Sequence, residues 1–311
     1  MGSTNFKEHQ HTARRISYAH SAQTRAGRVL IRLLENITGR IGLIRRANGY
    51  HADLEQGRDI WQVMIDRYGL ELDVVGGQLD AIPRTGPLVV VSNHPYGILD
   101  GLMLGHILAK TRGDFRIMAH EVFKQAEDID RVILPVSFDE TKDAVQLNLQ
   151  TRKSAVQYLQ QGGCVGIFPG GTVSTSATPM GPPRDPMWRA FTAKMIAKSG
   201  AQVVPIYFDG TNSRLFQFAS HLHTTLRMGL LIREFRAKIN APVRVVIGAP
   251  IAPQELAPYQ RDPKKMMDFL RARTYALSPH PLDERALGYE FEDRHKTTAE
   301  TTPRRGLKGR Y

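Results

Sequence analysis

The amino-acid sequence predicts an α/β fold: a layered, mostly parallel sheet flanked by helices, with a basic amphipathic helical segment at the N-terminus. Short runs rich in branched apolar residues indicate strands at residues 88–92, 115–119, 132–136, 165–168, 203–208 and 243–247. Helical patterns alternate with them at residues 101–110, 144–160, 187–198, 213–238 and 263–276. This alternation favours a parallel sheet, because a helix commonly fills the long connection between two parallel strands. With 311 residues, 41% of them hydrophobic, the chain is long enough for one large core.

Charge is concentrated near the N-terminus. The net charge is +12, and residues 1–50 hold nine Lys or Arg against two Glu. Between residues 30 and 44, Leu and Ile recur at helical spacing beside arginines. Such a helix either lies in the head-group region of an anionic membrane or packs its apolar side on the main domain. Gly39 and Gly42 argue against one straight helix.

We predict three regions: a basic, membrane-associating helical segment (1–70), a main domain (71–285) and a basic, disordered tail (286–311). Residues 215–239 repeat the basic amphipathic pattern and form either a second membrane-facing helix or a core helix with solvated arginines.

Compartment signals are few. The single cysteine, Cys164, fits a reducing compartment, and neither a signal peptide nor an apolar run of membrane-spanning length is visible. We therefore expect a protein of a reducing compartment that lies on the membrane surface, as a peripheral protein, if it meets a membrane.

A histidine and an acid follow the first buried strand. Residues 89–101 read Val-Val-Val-Ser-Asn-His-Pro-Tyr-Gly-Ile-Leu-Asp-Gly, which places His94 at a strand end with Asp100 shortly after it. An acid that binds one imidazole nitrogen fixes the tautomer and leaves the other nitrogen free to take a proton. The alternative is that His94 only ends the strand and Asp100 caps the following helix.

A glycine-rich loop follows a second buried strand. Residues 161–174 read Gln-Gly-Gly-Cys-Val-Gly-Ile-Phe-Pro-Gly-Gly-Thr-Val-Ser. Glycines let backbone N–H groups approach a ligand or a developing oxyanion closely, and the Thr172 hydroxyl adds a donor. A plain surface loop is the alternative. Both segments fall at carboxyl ends of predicted strands, where ligand sites of parallel sheets lie.

In this order, the two segments resemble signatures of the glycerolipid acyltransferase superfamily, typified by bacterial lysophosphatidic acid acyltransferase. Its first signature is Asn-His, four residues and Asp, and its third is Phe-Pro-Glu-Gly-Thr-Arg-Ser. A later strand with Val-Pro is similar to residues 203–208. The resemblance covers residues 85–252 and implies an enzyme of bacterial membrane lipid synthesis that moves a fatty acyl group from a thioester to a lipid hydroxyl.

This chain departs from those signatures at two places. Five residues separate His94 from Asp100, and we predict that Gly97, which tolerates a positive φ, takes up the extra residue in a tight turn. Gly170 replaces the signature glutamate, and Val173 replaces an arginine that the family associates with the acceptor's phosphate. The resemblance therefore implies an acceptor without a glycerol phosphate head group.

Residues 209–234 resemble a branch once labelled as haemolysins, which includes enzymes that O-acylate lyso-ornithine lipid and related lyso-aminolipids. Arg214 follows Asn212 and Ser213 in this stretch. It would bind the carboxylate of such an acceptor through two parallel hydrogen bonds. A surface arginine after a helix cap produces the same pattern.

The predicted reaction is direct acyl transfer. His94 removes the hydroxyl proton, Asp100 orients the imidazole and stabilises its charged form, and N–H groups near Gly170 and Gly171 bind the oxyanion. We expect the substrate site to be lined by Asn93, Tyr96, Gly97, Phe168, Pro169, Gly170, Gly171, Thr172 and Arg214. No Gly-x-Ser-x-Gly elbow is present, and Cys164 lies within an apolar strand, so no covalent acyl-enzyme is expected.

The expected partners are an anionic membrane surface, a lyso-lipid acceptor and a thioester donor, either acyl carrier protein or acyl-CoA. No metal is expected, since no His, Cys or carboxylate pairs have ligand spacing. We expect no cofactor and no nucleic-acid partner either. Three alternatives remain: a lysophosphatidic acid acyltransferase, hydrolysis of a thioester or ester by the same His-Asp pair, and a non-catalytic basic protein that binds membranes or nucleic acid.

Overall fold

A computed structural model describes residues 17–22, 24–125, 127–137 and 141–291. The basic residues Lys7, Arg14 and Arg15 and the predicted tail beyond residue 291 lie outside the described residues. The helices are α1 Arg25–Thr38, α2 Arg40–Ala47, α3 Tyr50–Glu55, α4 Ile60–Tyr68, α5 Ile98–Thr111, α6 Glu127–Asp130, α7 Lys142–Gln160, α8 Ala190–Ser199, α9 Arg214–Leu222, α10 Thr224–Arg236, α11 Pro253–Leu256 and α12 Pro263–Tyr275.

The strands form one seven-stranded sheet and a short hairpin. They are β1 Glu71–Gly76, β2 Leu88–Ser92, β3 Arg116–His120, β4 Ile133–Val136, β5 Cys164–Ile167, β6 Thr175–Ser176, β7 Pro183–Arg184, β8 Gln202–Phe208 and β9 Pro242–Ile247. The sheet order is β1-β9-β8-β2-β5-β3-β4, and β6 pairs with β7. All neighbours in the sheet are parallel except β8 and β9. The predicted α/β class with a mostly parallel sheet is confirmed.

Strand β2 is the centre of the sheet, and its alternating side chains enter both cores. Leu88 and Val90 pack in one hydrophobic cluster with α4 and α5. Val89 and Val91 pack in the other cluster with α7, α8 and α12. A strand covered on both faces has no polar side, which explains the continuous apolar run in the sequence.

The connections after β2 and β5 leave in opposite directions. The chain passes from β2 through α5 to β3, on one side, and from β5 through α8 to β8, on the other side. The carboxyl ends of these two adjacent strands therefore border a crevice, which is the usual ligand position in such sheets.

Helix α1 packs on the domain through the side that carries Ile31 and Leu34. Gly39, with φ +132°, separates α1 from α2, whereas Gly42 lies inside α2. Ile31 is fully buried, and Leu34 packs against Gly229 of α10. Within the described ranges, no helix is both long enough and apolar enough to cross a membrane.

Packed chain continues six residues into the predicted tail. The Gly288 N–H donates to the Asp185 carbonyl at 2.9 Å, and the Tyr289 N–H donates to the Thr175 carbonyl at 3.0 Å. Glu290 forms an ion pair with Arg189 at 2.9 Å. These contacts attach the segment up to residue 291 to the region beside β6 and β7.

Candidate active site

His94 and Asp100 lie side by side at the carboxyl end of β2. The Nδ1 atom of His94 is 2.8 Å from Oδ2 of Asp100. The Asp100 side chain is fully buried, whereas 19% of the His94 side chain is exposed. The Nε2 atom of His94 has no hydrogen-bond partner among the described residues. This arrangement suits a base whose second nitrogen meets a substrate proton.

Gly97 makes the five-residue spacing possible. Its φ is +85° and its ψ is −123°, a conformation that residues with a Cβ rarely adopt. The turn directs the N–H groups of Tyr96 and Gly97 to Oδ2 of Asp100, at 2.8 and 2.9 Å. Asp100 thus sits in the first turn of α5 and bonds the helix start while it faces His94. The predicted positive φ at Gly97 is confirmed.

Burial dominates the electrostatics of the acid. It raises the pKa of Asp100 above its ordinary value, against the opposing effects of His94 and the two N–H donors. The second oxygen, Oδ1, is buried and has no hydrogen-bond partner among the described residues. Negative charge on Asp100 is therefore costly by itself and favours a positively charged neighbour.

Two predicted substrate contacts are largely occupied by the protein. The Asn93 amide donates to the Phe208 carbonyl at 3.0 Å and accepts from the Phe208 N–H at 2.7 Å, which fastens the β2 end to β8. Tyr96 is buried, with the Lys238 ammonium 4.7 Å from its ring centroid. Substrate binding by Asn93 and Tyr96 stays a prediction.

The glycine-rich loop lies against the histidine. Phe168 stacks on the His94 ring, with centroids 4.3 Å apart and planes 23° apart. The Pro169 carbonyl accepts from the Arg189 N–H at 2.9 Å. The Gly171 N–H donates to the Phe168 carbonyl at 3.0 Å and closes a turn. Of the two predicted oxyanion donors, only the Gly170 N–H is without a partner in the described part of the chain.

Arg227 is a buried cation outside the sequence motifs of the site. Its Nη2 donates to Oγ1 of Thr172 and to the Val173 carbonyl, both at 2.9 Å. It is 5% exposed, and burial lowers its pKa to about 10. No acidic side chain among the described residues pairs with it. The sequence held a signal for this burial. Arg227 precedes the apolar Leu231 by four residues, so the two share one face of α10, and Leu231 is buried.

Arg214 lies at the hairpin instead. It is exposed at the start of α9, and its Nη1 donates to the carbonyls of Met180 and Gly181 at 3.0 and 2.8 Å. These residues form the turn between β6 and β7. Arg214 can bind a carboxylate through two hydrogen bonds in one of two ways. Either the N–H groups that do not contact the turn bind it, or the bonds to the Met180 and Gly181 carbonyls break first.

Asp185 is a second functional candidate without a sequence signal. It is fully buried after β7, and its Oδ1 accepts from the His94 N–H at 3.2 Å. The contact spans 91 residues along the chain, so no local pattern reports it.

Two other chemistries have little support in the geometry. Cys164 is buried in β5, and burial raises the pKa of its thiol to about 12, which keeps it protonated at neutral pH. In the described ranges, no three His, Cys, Asp or Glu side chains form a group that would hold a metal ion.

Comparisons with known proteins identify the family of this chain. The family described as Acyltransferase matches residues 35–283. A lyso-glycine lipid O-acyltransferase from Phocaeicola vulgatus is 24% identical over 229 residues, which are 71% of this chain and 78% of that protein. One from Bacteroides thetaiotaomicron is 23% identical over 231 residues, with 71% and 80% covered.

Among solved structures, the 1-acyl-sn-glycerophosphate (LPA) acyltransferase PlsC from Thermotoga maritima matches with 15% identity and a TM-score of 0.43, over 83% of this chain and 100% of that chain. The family match spans both motif loops and most of the sequence. The predicted family is thereby confirmed: this chain belongs to the acyltransferase family and is an enzyme that transfers acyl groups.

Proposed function

We propose that the protein O-acylates a lyso-lipid with a fatty acyl thioester as donor. The observation that carries the proposal is the His94–Asp100 pair at the sheet crevice, against which the glycine-rich loop packs through Phe168. His94 Nε2 takes the proton of the lipid hydroxyl while its oxygen attacks the thioester carbonyl. The new C–O bond forms, the C–S bond breaks, and the proton passes from His94 to the leaving thiolate. This scheme uses no cofactor. The thioester is a co-substrate, either a fatty acyl chain carried on acyl carrier protein or acyl-CoA.

The proposed acceptor is a lyso-aminolipid, such as a lyso-ornithine or lyso-glycine lipid. Both curated relatives are named for a lyso-glycine lipid, and Val173 stands where a phosphate-associated arginine is expected. Arg214 binds the acceptor's carboxylate in this proposal. The buried charge of Arg227 adds positive potential behind the glycine-rich loop.

We also propose that α1 rests on an anionic membrane at the cytoplasmic face of the inner membrane. Apolar side chains of α1 that do not pack on α10 are exposed, including Val29 (68%) and Ile37 (71%). Arg25 and Arg28 are exposed on the same helix. Exposed apolar groups beside arginines fit an interfacial helix that meets anionic head groups. Exposed Leu215, Phe218 and Leu222 give α9 a second apolar surface.

Acceptor choice tests the function. The purified full chain is given an acyl thioester with lyso-ornithine lipid, lyso-glycine lipid or lysophosphatidic acid in matched micelles. Thiol release and acylated lipid are both measured, with acyl-CoA and acyl carrier protein as donors. We expect equal amounts of thiol and product, a preference for the lyso-aminolipids, and a loss of turnover of about a hundredfold or more in His94→Ala.

Other results would identify other functions. Preference for lysophosphatidic acid would overturn the proposed acceptor, and thiol release without acceptor would indicate a hydrolase. Absence of turnover with every donor and acceptor, together with vesicle binding, would indicate a non-catalytic membrane protein.

A further inference from the structure

The Asp185 carboxylate accepts hydrogen bonds from three groups and lies in no ion pair with a described residue. Its Oδ1 accepts from the His94 N–H at 3.2 Å and from the Ser174 hydroxyl at 2.5 Å. Its Oδ2 accepts from Nε1 of Trp188 at 2.9 Å. All three partners are donors, which suits an ionised carboxylate, since that group only accepts.

These bonds close a ring around the main chain of His94. The Ser174 N–H donates to the His94 carbonyl at 2.8 Å, while the His94 N–H and the Ser174 hydroxyl share Oδ1 of Asp185. Both polar main-chain atoms of His94 are therefore fixed beyond the end of β2, where no strand partner holds them. The same ring attaches the segment at His94 to the glycine-rich loop.

Asp185 is itself anchored by its main chain. Its N–H donates to the Tyr275 hydroxyl at 2.7 Å, and its carbonyl accepts from Nη2 of Arg271 at 3.0 Å and from the Gly288 N–H. A Cβ added at Gly170 would lie 3.3 to 3.4 Å from the Asp185 side chain. Glycine at position 170 thus lets the carboxylate lie close to the loop that carries the candidate oxyanion donor.

We propose that Asp185 is a positioning residue that sets the place of the His94 base relative to the glycine-rich loop. The inference rests on the proposed acyl transfer, in which His94 must reach the lipid hydroxyl while the Gly170 N–H reaches the thioester oxygen. Reaction rates respond steeply to such placement, because a shift of about 1 Å can lower a rate about a hundredfold.

Asp185→Asn tests the hydrogen-bond pattern at nearly unchanged shape. A carboxamide offers one acceptor and one donor, so its NH₂ group must face either the Trp188 N–H or the His94 N–H. Either arrangement disturbs the ring. We expect kcat to fall about tenfold to a hundredfold, while KM for the thioester and the lyso-lipid changes less than about twofold.

Trp188→Phe provides the rescue. Phenylalanine has no N–H, so in Asp185→Asn/Trp188→Phe the amide NH₂ can occupy the Oδ2 position unopposed, and the amide oxygen stays with His94 and Ser174. The double variant is expected to recover most of the kcat lost by Asp185→Asn, measured relative to Trp188→Phe alone. Trp61→Phe is the matched control, because Trp61 packs against Gly105 in the other core cluster and should rescue nothing.

A substrate-free readout separates this inference from the proposed function. The backbone amide proton of His94 should shift upfield in the NMR spectrum of Asp185→Asn and return part of the way in the double variant, whose acceptor is an uncharged amide oxygen. An unchanged His94 amide, an unchanged kcat in an active enzyme, or a lower melting temperature with normal kcat per folded molecule would each overturn the positioning role. If the His94 amide shifts in Asp185→Asn as expected but the wild-type protein transfers no acyl group, the proposed reaction is overturned. The placement of His94 by Asp185 then still stands.

Discussion

Asp100→Asn separates the charge of the acid from its hydrogen bonds. Oδ2 accepts from the N–H groups of Tyr96 and Gly97 and faces Nδ1 of His94, whereas Oδ1 has no partner among the described residues. An amide at this place keeps its oxygen toward the three donors, because its NH₂ group would be repelled by two N–H groups. The NH₂ group then occupies the position of Oδ1. The variant therefore keeps the His94 tautomer and removes only the negative charge.

The expected loss follows from the strength of one hydrogen bond. A bond to a charged group contributes about 1.5–3 kcal/mol and a neutral one about 0.5–1.5 kcal/mol. The imidazolium that forms in the transition state thus loses about 1–2 kcal/mol of stabilisation. Since about 1.4 kcal/mol corresponds to a factor of ten, kcat should fall roughly 5- to 30-fold. This is a smaller loss than the hundredfold or more expected for His94→Ala.

Stability should change in the opposite direction. Burial raises the pKa of Asp100 above the ordinary 3.8. A raised pKa means that the folded state favours the protonated acid, so its contribution is full below pH 3.8 and is lost as the pH rises through the folded value. At neutral pH the ionised form costs folding free energy, and Asp100→Asn removes that cost. We expect a melting temperature at neutral pH that is equal to or higher than that of the wild type, and a smaller difference in acid.

Steady-state turnover and thermal melts of the same preparations check this reasoning. Glu121→Gln is the control, since Glu121 follows β3 and accepts from the Ser137 hydroxyl at 2.8 Å. A silent Asp100→Asn with an inactive Glu121→Gln would mean that the acid has been assigned wrongly. If Asp100→Asn lowers kcat as much as His94→Ala does, the claim that His94 keeps its tautomer in this variant is wrong.

Three further outcomes are expected. In thermal melts, Gly97→Ala should lower the free energy of unfolding by about 1–3 kcal/mol, and it should remove most of the activity, because the turn needs φ +85°. Gly101→Ala is the control: it lies within α5 with open space around it, so the free energy of unfolding should stay the same or rise. Leu33→Glu should weaken binding to anionic vesicles in sedimentation assays, and added salt should weaken wild-type binding; Leu149→Glu, with 57% exposure against 54% for Leu33, should bind normally. Arg214→Lys should lower the preference for lyso-aminolipids over lysophosphatidic acid in a competition assay; an unchanged ratio would limit Arg214 to its hairpin contact.

The core of the fold was predictable because its signals are local. The six predicted strands agree with β2, β3, β4, β5, β8 and β9 to within one residue at each end. Strand β1 was missed because it is a half-exposed edge strand without clear alternation. The single helix predicted at 213–238 is two helices, divided at His223, whose extended backbone (φ −164°) and Nδ1 atom cap α10. Histidine is not a residue that usually signals a helix break.

Only the part of the candidate site that lies within the sequence motifs could be predicted. The sequence placed His94 and Asp100 together, and the two readings of Asp100, as helix-start residue and as partner of His94, prove compatible. Arg227 was expected to be a solvated or membrane-facing arginine, and this was wrong: α10 buries it against the 172–175 loop. Its contact with Thr172, like that of Asp185 with His94, joins distant segments and depends on the tertiary fold.

The partners of the N-terminal region are synthesised late. In β1, Glu71 pairs with Pro242 of β9, and α1 packs on α10, both far along the chain. Contacts of such long sequence separation form slowly, because loop closure must precede any gain from pairing. During translation, α1 therefore emerges well before the surface that covers its buried side. The apolar side of α1 therefore stays uncovered throughout that interval, as surface that chaperones recognise, and slowing elongation before residue 224 should prolong it.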